Sequence, residues 1–148
     1  MDNSLDSKPT GKAILIVDDE FGVLEVVEFI LTDLGYSVIS ALNGRDALMR
    51  IGEKIPDLIL LDFMMPIMDG AAALKAIRSD TRYCNIPVIL TSALPEQTIK
   101  EKCPGYNLFL RKPYKFEALT SAVNSLLKQQ PNPDGVPAPG RDPNQSKT

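Results

Sequence analysis

The feature that most constrains this chain is an alternation, repeated five times, of short apolar runs with stretches of helical periodicity. Ala13–Val17 (AILIV), Leu58–Leu61 (LILL), Val88–Leu90 and Leu108–Leu110 are short continuous apolar runs, the pattern of strands covered on both faces. Ser37–Ala41 reads as a further strand. Between them, Leu24, Val27, Leu31 and Leu34, flanked by Val23, Val26 and Ile30, recur at helical spacing, and Gly35 ends that helix. A short helix is expected through Ala47, Leu48 and Ile51, another over Gly70–Ser79 with Ala73, Leu74 and Ile77 inward, and a third from about Pro95 to Cys103. Phe116–Leu127 closes the series, with Leu119, Val123, Leu126 and Leu127 on its apolar face. Five βα units in succession predict a mostly parallel sheet with helices on both faces.

Composition narrows the function classes. The chain has 148 residues, 44% hydrophobic and 24% charged, with a formal net charge of -3, which suits one globular domain rather than a disordered chain. The acidic balance argues against nucleic acid as the main partner, because phosphate binding wants a basic face. No apolar stretch approaches the roughly 20 residues of a membrane span, so no membrane association is expected. Met1 to Lys12 carries no apolar core of a signal peptide, so a cytoplasmic protein is expected. With no His there is no Ser-His-Asp triad, no Cys-His pair and no imidazole acid–base chemistry. Cys84 and Cys103 make no disulfide framework and are expected to be unpaired. Residues 1–11 read as a flexible arm. Residues 129–148, rich in Pro, Asn, Asp and Gly, read as a disordered tail that cannot bury enough surface to offset its ordering entropy.

In sheets of this kind the functional site lies at the carboxyl ends of the strands, where strand order reverses. Asp18-Asp19-Glu20 follow the first strand, Asp62 the third, Thr91-Ser92 the fourth and Arg111-Lys112-Pro113 the fifth. Each has an ordinary structural explanation. Asp18 and Asp19 suit the cap and dipole of the first helix. Asp62 suits the start of a turn, Asp69-Gly70 a turn before the third helix, Thr91 a cap of the fourth, and Lys112 a solvated amine. In a flavodoxin-like order 2-1-3-4-5, however, strands one and three are neighbours and all these residues gather at one edge. Three converging carboxylates repel one another unless a cation joins them, and an all-oxygen set with an open side suits Mg²⁺.

The blocks ILIVDDE, LILLDFMMPIMDG, PVILTSA and FLRKPY resemble, in order and spacing, the signature blocks of the receiver domain of two-component response regulators, over roughly Lys12 to Lys128. The resemblance implies an α/β, doubly wound (βα)5 fold over residues 12–128. It makes Asp62 the phosphoacceptor, taking a phosphoryl group from a histidine kinase, a phosphotransfer protein or a small acyl phosphate. Asp19 would ligate Mg²⁺ directly, Asp18 through water, and the backbone carbonyl of Met64 would complete the protein's share of the shell. Lys112 and Thr91 would address phosphoryl oxygens, Thr91 and Phe109 would form the switch, and Lys112-Pro113 would be a cis peptide. Phosphorylation would change binding to a downstream protein target. With no output domain recognised, the chain is expected to be a single-domain regulator that accepts one phosphoryl group and releases it slowly, rather than turning over substrate.

Three departures from the family pattern stand out: a short fourth helix followed by Cys103-Pro104-Gly105; Arg111, a second cation beside Lys112 that suits either an anionic partner or a solvated strand end; and Ser92, whose hydroxyl is placed to replace or compete with that of Thr91. A degenerate receiver acting only as an interaction module is the alternative, although every active-site residue is present. A magnesium-dependent phosphatase of the haloacid dehalogenase type would need D-x-D after the first strand, where Glu20 stands third. A flavin module would need a phosphate-cradling Ser/Thr/Gly loop where this chain has acids.

Overall fold

The computed structural model describes residues 10–128. Its elements, in chain order, are β1 (Ala13–Val17), α1 (Phe21–Asp33), β2 (Ser37–Ala41), α2 (Gly44–Glu53), β3 (Leu58–Asp62), α3 (Gly70–Ser79), β4 (Val88–Ser92), α4 (Glu96–Lys102), β5 (Leu108–Arg111) and α5 (Phe116–Leu127). The five strands form one parallel sheet in the order β2-β1-β3-β4-β5. The α/β, doubly wound flavodoxin-like order expected from the sequence is the order observed.

The two-residue period of each strand divides the core. Ile14 and Ile16 of β1, Leu58 and Leu60 of β3 and Ile89 of β4 pack against Leu24, Val27 and Leu31 of α1 and Leu119, Val123 and Leu127 of α5. Leu15, Val17, Ile59, Leu61 and Leu90 face the other way, onto Ala47 and Ile51 of α2, Leu74 and Ile77 of α3 and Ile99 of α4. The central strands carry apolar residues on both faces because helices cover both.

Leu34, in the apolar series of α1 by sequence, is the C-cap residue and is 37% exposed, so the stripe that enters the core ends at Leu31. The helix still stops where Gly35 was expected to stop it, with φ +99° at that glycine. Neither Asp18 nor Asp19 caps α1; Glu20 is its N-cap, without a side-chain bond, and Asp18 Oδ1 accepts the Glu20 N–H at 2.9 Å. Thr91 caps nothing either, because β4 runs through it to Ser92 and Pro95 precedes α4. Asp69 is more than a turn residue: its Oδ1 accepts the Ala72 N–H at 2.9 Å and caps α3. The fourth helix is short, seven residues, with Ile99 its buried anchor. The expectation for the segment 129–148 lies outside the described residues, as does most of the arm 1–11, although Thr10 already donates its N–H to Gly35 O at 2.9 Å. No described helix is long and apolar enough to cross a membrane.

Candidate functional site

The carboxyl edge of the sheet places the four strand-end sequences together because parallel strands in register end at the same level. Thr91 pairs directly with Asp62 across the β3–β4 register, and β1 ends beside them at Val17 opposite Leu61. Asp18, Asp62, Thr91 and Ser92 are the buried polar residues among those described.

Lys112 reaches across this edge from the end of β5. Its Nζ lies 2.7 Å from Asp18 Oδ2 and 3.2 Å from Asp62 Oδ1, so a single ammonium bridges two carboxylates. Thr91 Oγ1 makes a longer contact, 3.4 Å, with the same Asp62 oxygen. Asp62 Oδ2 has no hydrogen-bond partner among the described residues, although the side chain is buried. One carboxylate oxygen each from Asp18, Asp19 and Asp62 lie within 4.8 Å of one another, with Asp19 at the exposed side.

Electrostatics record the crowding. Burial, then the negative charge of Asp18, pushes the Asp62 carboxyl from its ordinary 3.8 up to about 6, against the pull of Lys112. Burial by itself would lower the Lys112 ammonium, yet its hydrogen bond to Asp18 and the charge of Asp62 outweigh that, and the net shift is upward. One cation does not neutralise three carboxylates. The donor set fits a small hard divalent cation: all-oxygen, two members buried, one exposed, and a buried oxygen still without a partner among the described residues.

Met64 is 64% exposed and lines a cleft of about 420 Å³ with Asp19, Phe63, Met65, Pro66 and Asp69. Phe109 lies away from the carboxylates, half-buried on the α2–α4 face with the Tyr106 ring 6.1 Å from its own. The Lys112-Pro113 bond is cis.

Two readings that the sequence left open are resolved. Ser92 does not compete with Thr91, because adjacent residues of a strand point to opposite faces; its Oγ accepts the Leu94 N–H at 3.0 Å instead. Arg111, open by sequence between favouring an anionic partner and being a solvated strand end, is exposed at the end of β5, and its Nε donates to Ala93 O at 3.1 Å. Sequence reasoning missed Tyr114, which lines a second groove with Glu20, Val23, Val27, Ala93 and Lys112, and whose hydroxyl burial pushes up to about 12. Its position directly after Lys112-Pro113 was the available signal. It also missed Gly70, where a Cβ would sit 2.5 Å from the Asp62 carbonyl oxygen.

This edge, with its carboxylates, lysine and threonine on a 2-1-3-4-5 sheet, is the arrangement of a phosphoacceptor switch domain. The profile of the response regulator receiver domain matches residues 14–124, and the chain belongs to that family. It is similar to the DNA-binding dual master transcriptional regulator RpaA of Synechocystis sp., 33% identical over 120 residues, covering 78% of this chain and 49% of the relative. The chain thus spans about half the length of the curated relatives it matches. Among solved structures it resembles the signal receiver domain of a signal transduction histidine kinase from Syntrophus aciditrophicus, with a TM-score of 0.76 and 32% identity over 86% of this chain and 98% of the other. It also resembles the receiver domain of the sensor histidine kinase PA1611 from Pseudomonas aeruginosa, described with a magnesium ion coordinated in its active-site cleft. That likeness has a TM-score of 0.74 and 30% identity over 79% of this chain and 98% of the other.

Proposed function

We propose that this domain is the phosphoacceptor of a two-component system and that Asp62 receives the phosphoryl group. The observation that carries the reading is the buried Asp62 carboxylate, one oxygen held by Lys112 and Thr91 and the other without a partner among the described residues. In the transfer, an Asp62 oxygen attacks phosphorus and forms the new O–P bond of an acyl phosphate. The N–P bond of the donor phosphohistidine breaks, and its electron pair returns to the imidazole nitrogen, which takes up a proton from solvent. Charge spreads over three equatorial oxygens during transfer, so the work of the site is positioning and neutralisation. Lys112 moves from its bridge between Asp18 and Asp62 onto a phosphoryl oxygen, and the Thr91 hydroxyl turns from Asp62 to another.

Asp19, Asp18, Asp62 and the Met64 carbonyl would hold Mg²⁺, which supplies charge neutralisation for the incoming phosphoryl group. Up to two added negative charges then bias Thr91, Phe109 and the short α4 toward a second arrangement that a downstream protein target reads. The partners of this domain are a histidine kinase or phosphotransfer protein and that target. The excess of acidic over basic residues in the chain, net charge -3, supports protein rather than nucleic acid as what this domain contacts itself. Residues 12–128 form the receiver unit in this reading, and the location is cytoplasmic.

Incubation with a small acyl phosphate and Mg²⁺ is the test. One phosphoryl group per chain is expected on the parent and none on Asp62→Asn. Equal labelling of that variant sinks the assignment, and continuous release of phosphate from a simple ester would indicate a phosphatase instead.

A further inference from the structure

The loop that joins β3 to α3, residues 63–69, contains the one non-glycine residue with positive φ among those described, Ile67 at +69°. The Met68 N–H donates to the Pro66 carbonyl at 2.7 Å, so Ile67 is the centre of a γ-turn of the positive-φ kind, a rare and strained form. A β-branched residue is poorly suited to it. Packing does not offset the strain, because the Ile67 side chain is 74% exposed. Such a conformation persists only when its surroundings hold it.

Backbone bonds hold it at both ends. Gly44 of α2 donates its N–H to Met68 O at 2.9 Å, Gly70 donates to Phe63 O at 2.8 Å, and Phe63 donates to Thr91 O at 2.8 Å. The close approach at Gly44 requires glycine: a Cβ there would meet Met68 O at 2.7 Å and Met68 Cγ at 2.8 Å. Between the pinned points lie Met64, Met65 and Pro66, which line the cleft beside Asp19, whereas α2 contributes no side chain to it.

We propose that Gly44 is a positioning residue for the acidic pocket: its N–H and its missing Cβ close the γ-turn at Ile67 and thereby fix the 63–66 segment, Met64 carbonyl included, beside Asp62. The inference rests on the phosphoacceptor reading and deepens it by naming what preorganises the loop edge of the site. A ligand carbonyl already held in place need not be ordered when the cation binds.

Three full-length variants test it, each first checked for folding by circular dichroism and urea titration. Gly44→Ala displaces the Met68 carbonyl. Ile67→Pro forbids the turn, because proline holds φ near −65°. Ile67→Gly permits the turn without strain. Two quantities are read: the Mg²⁺ concentration that gives half the metal-induced rise in melting temperature of the unphosphorylated protein, and the concentration that gives half-maximal labelling by a small acyl phosphate. Gly44→Ala and Ile67→Pro are expected to need about tenfold more Mg²⁺ in both readouts, as for loss of a ligand's support. Saturating Mg²⁺ should recover most of the labelling, and Ile67→Gly should stay within about twofold of the parent. A merely structural role would lower the urea midpoint and leave both Mg²⁺ concentrations where they were, and that result overturns the proposal. Should Gly44→Ala not fold, Ile67→Pro decides alone. A parent that neither responds to Mg²⁺ nor takes label overturns the phosphoacceptor reading, and this proposal with it.

Discussion

Replacing Asp62 by Asn should make the metal-free protein more stable, and the gain should appear only where the parent carboxyl is ionised. Burial and the charge of Asp18 raise the Asp62 carboxyl from 3.8 to about 6 in the folded chain, even with Lys112 alongside. A difference of about 2 units corresponds to roughly 3 kcal/mol by which the folded state disfavours the charged form. Below about pH 3 the carboxyl is protonated in both states and contributes nothing by this route. As pH rises from about 3 to 7, the unfolded chain gives up its proton first, so the unfolded state binds fewer protons and parent stability falls; above that window the loss is complete. Asn keeps the shape and an acceptor for Thr91 and Lys112, cannot titrate, and leaves Lys112 paired with Asp18 at 2.7 Å. The stability of Asp62→Asn relative to the parent should therefore grow by up to about 3 kcal/mol between pH 4 and 8. Urea denaturation of both proteins in chelator, at several pH values, measures it. A difference that stays flat across this range, or an Asn variant less stable than the parent at pH 8, would refute the argument that uncompensated carboxylate crowding is built into the pocket.

Asp19→Ala should abolish Mg²⁺-dependent labelling while leaving the metal-free melting temperature equal or higher, because it removes one of three crowded carboxylates. Mg²⁺ affinity equal to the parent's would contradict this. Met64→Asn should speed loss of the acyl phosphate a few-fold, on the order of 1 kcal/mol or less in barrier, since neither Met64 nor Ala93, two residues past Thr91, can orient a water by hydrogen bonding. Slower decay in the variant would mean that another group positions the water. Arg78→Met should destabilise by about 2–4 kcal/mol in chemical denaturation, because the guanidinium donates to the carbonyls of Gly105, Cys84 and Ile86 and to Asn107 Oδ1, joining the end of α3 to the segments before β4 and β5. Arg78→Lys should recover only part of that, since an ammonium cannot reproduce the planar fork. A loss under about 0.5 kcal/mol would show that water replaces those bonds.

Much of this protein was legible before any coordinates. The apolar runs at Ala13–Val17 and Leu58–Leu61 announced two-faced strands, and their βα alternation left few topologies for a parallel sheet. Asp18, Asp19, Asp62, Thr91 and Lys112 could be found because each lies within two residues of the end of such a run, and parallel strands finish at one edge. These signals are local, carried by residue type and spacing along the chain. The rest depends on residues distant in sequence. Whether Ser92 and Arg111 belong to the pocket was decided by which face of β4 and β5 they occupy, and strand parity follows from register, not composition. Leu34 left the core because the helix ended beneath it. The raised Asp62 carboxyl arises from burial and from Asp18, 44 positions away, with the Lys112 bridge still farther along the chain. The Gly44 amide meets the Met68 carbonyl only because α2 packs against the loop after β3. Dihedral preference and hydrophobic period act over a few residues and are written in the sequence; close approach and charge act through space, and only the folded sheet brings those partners within reach.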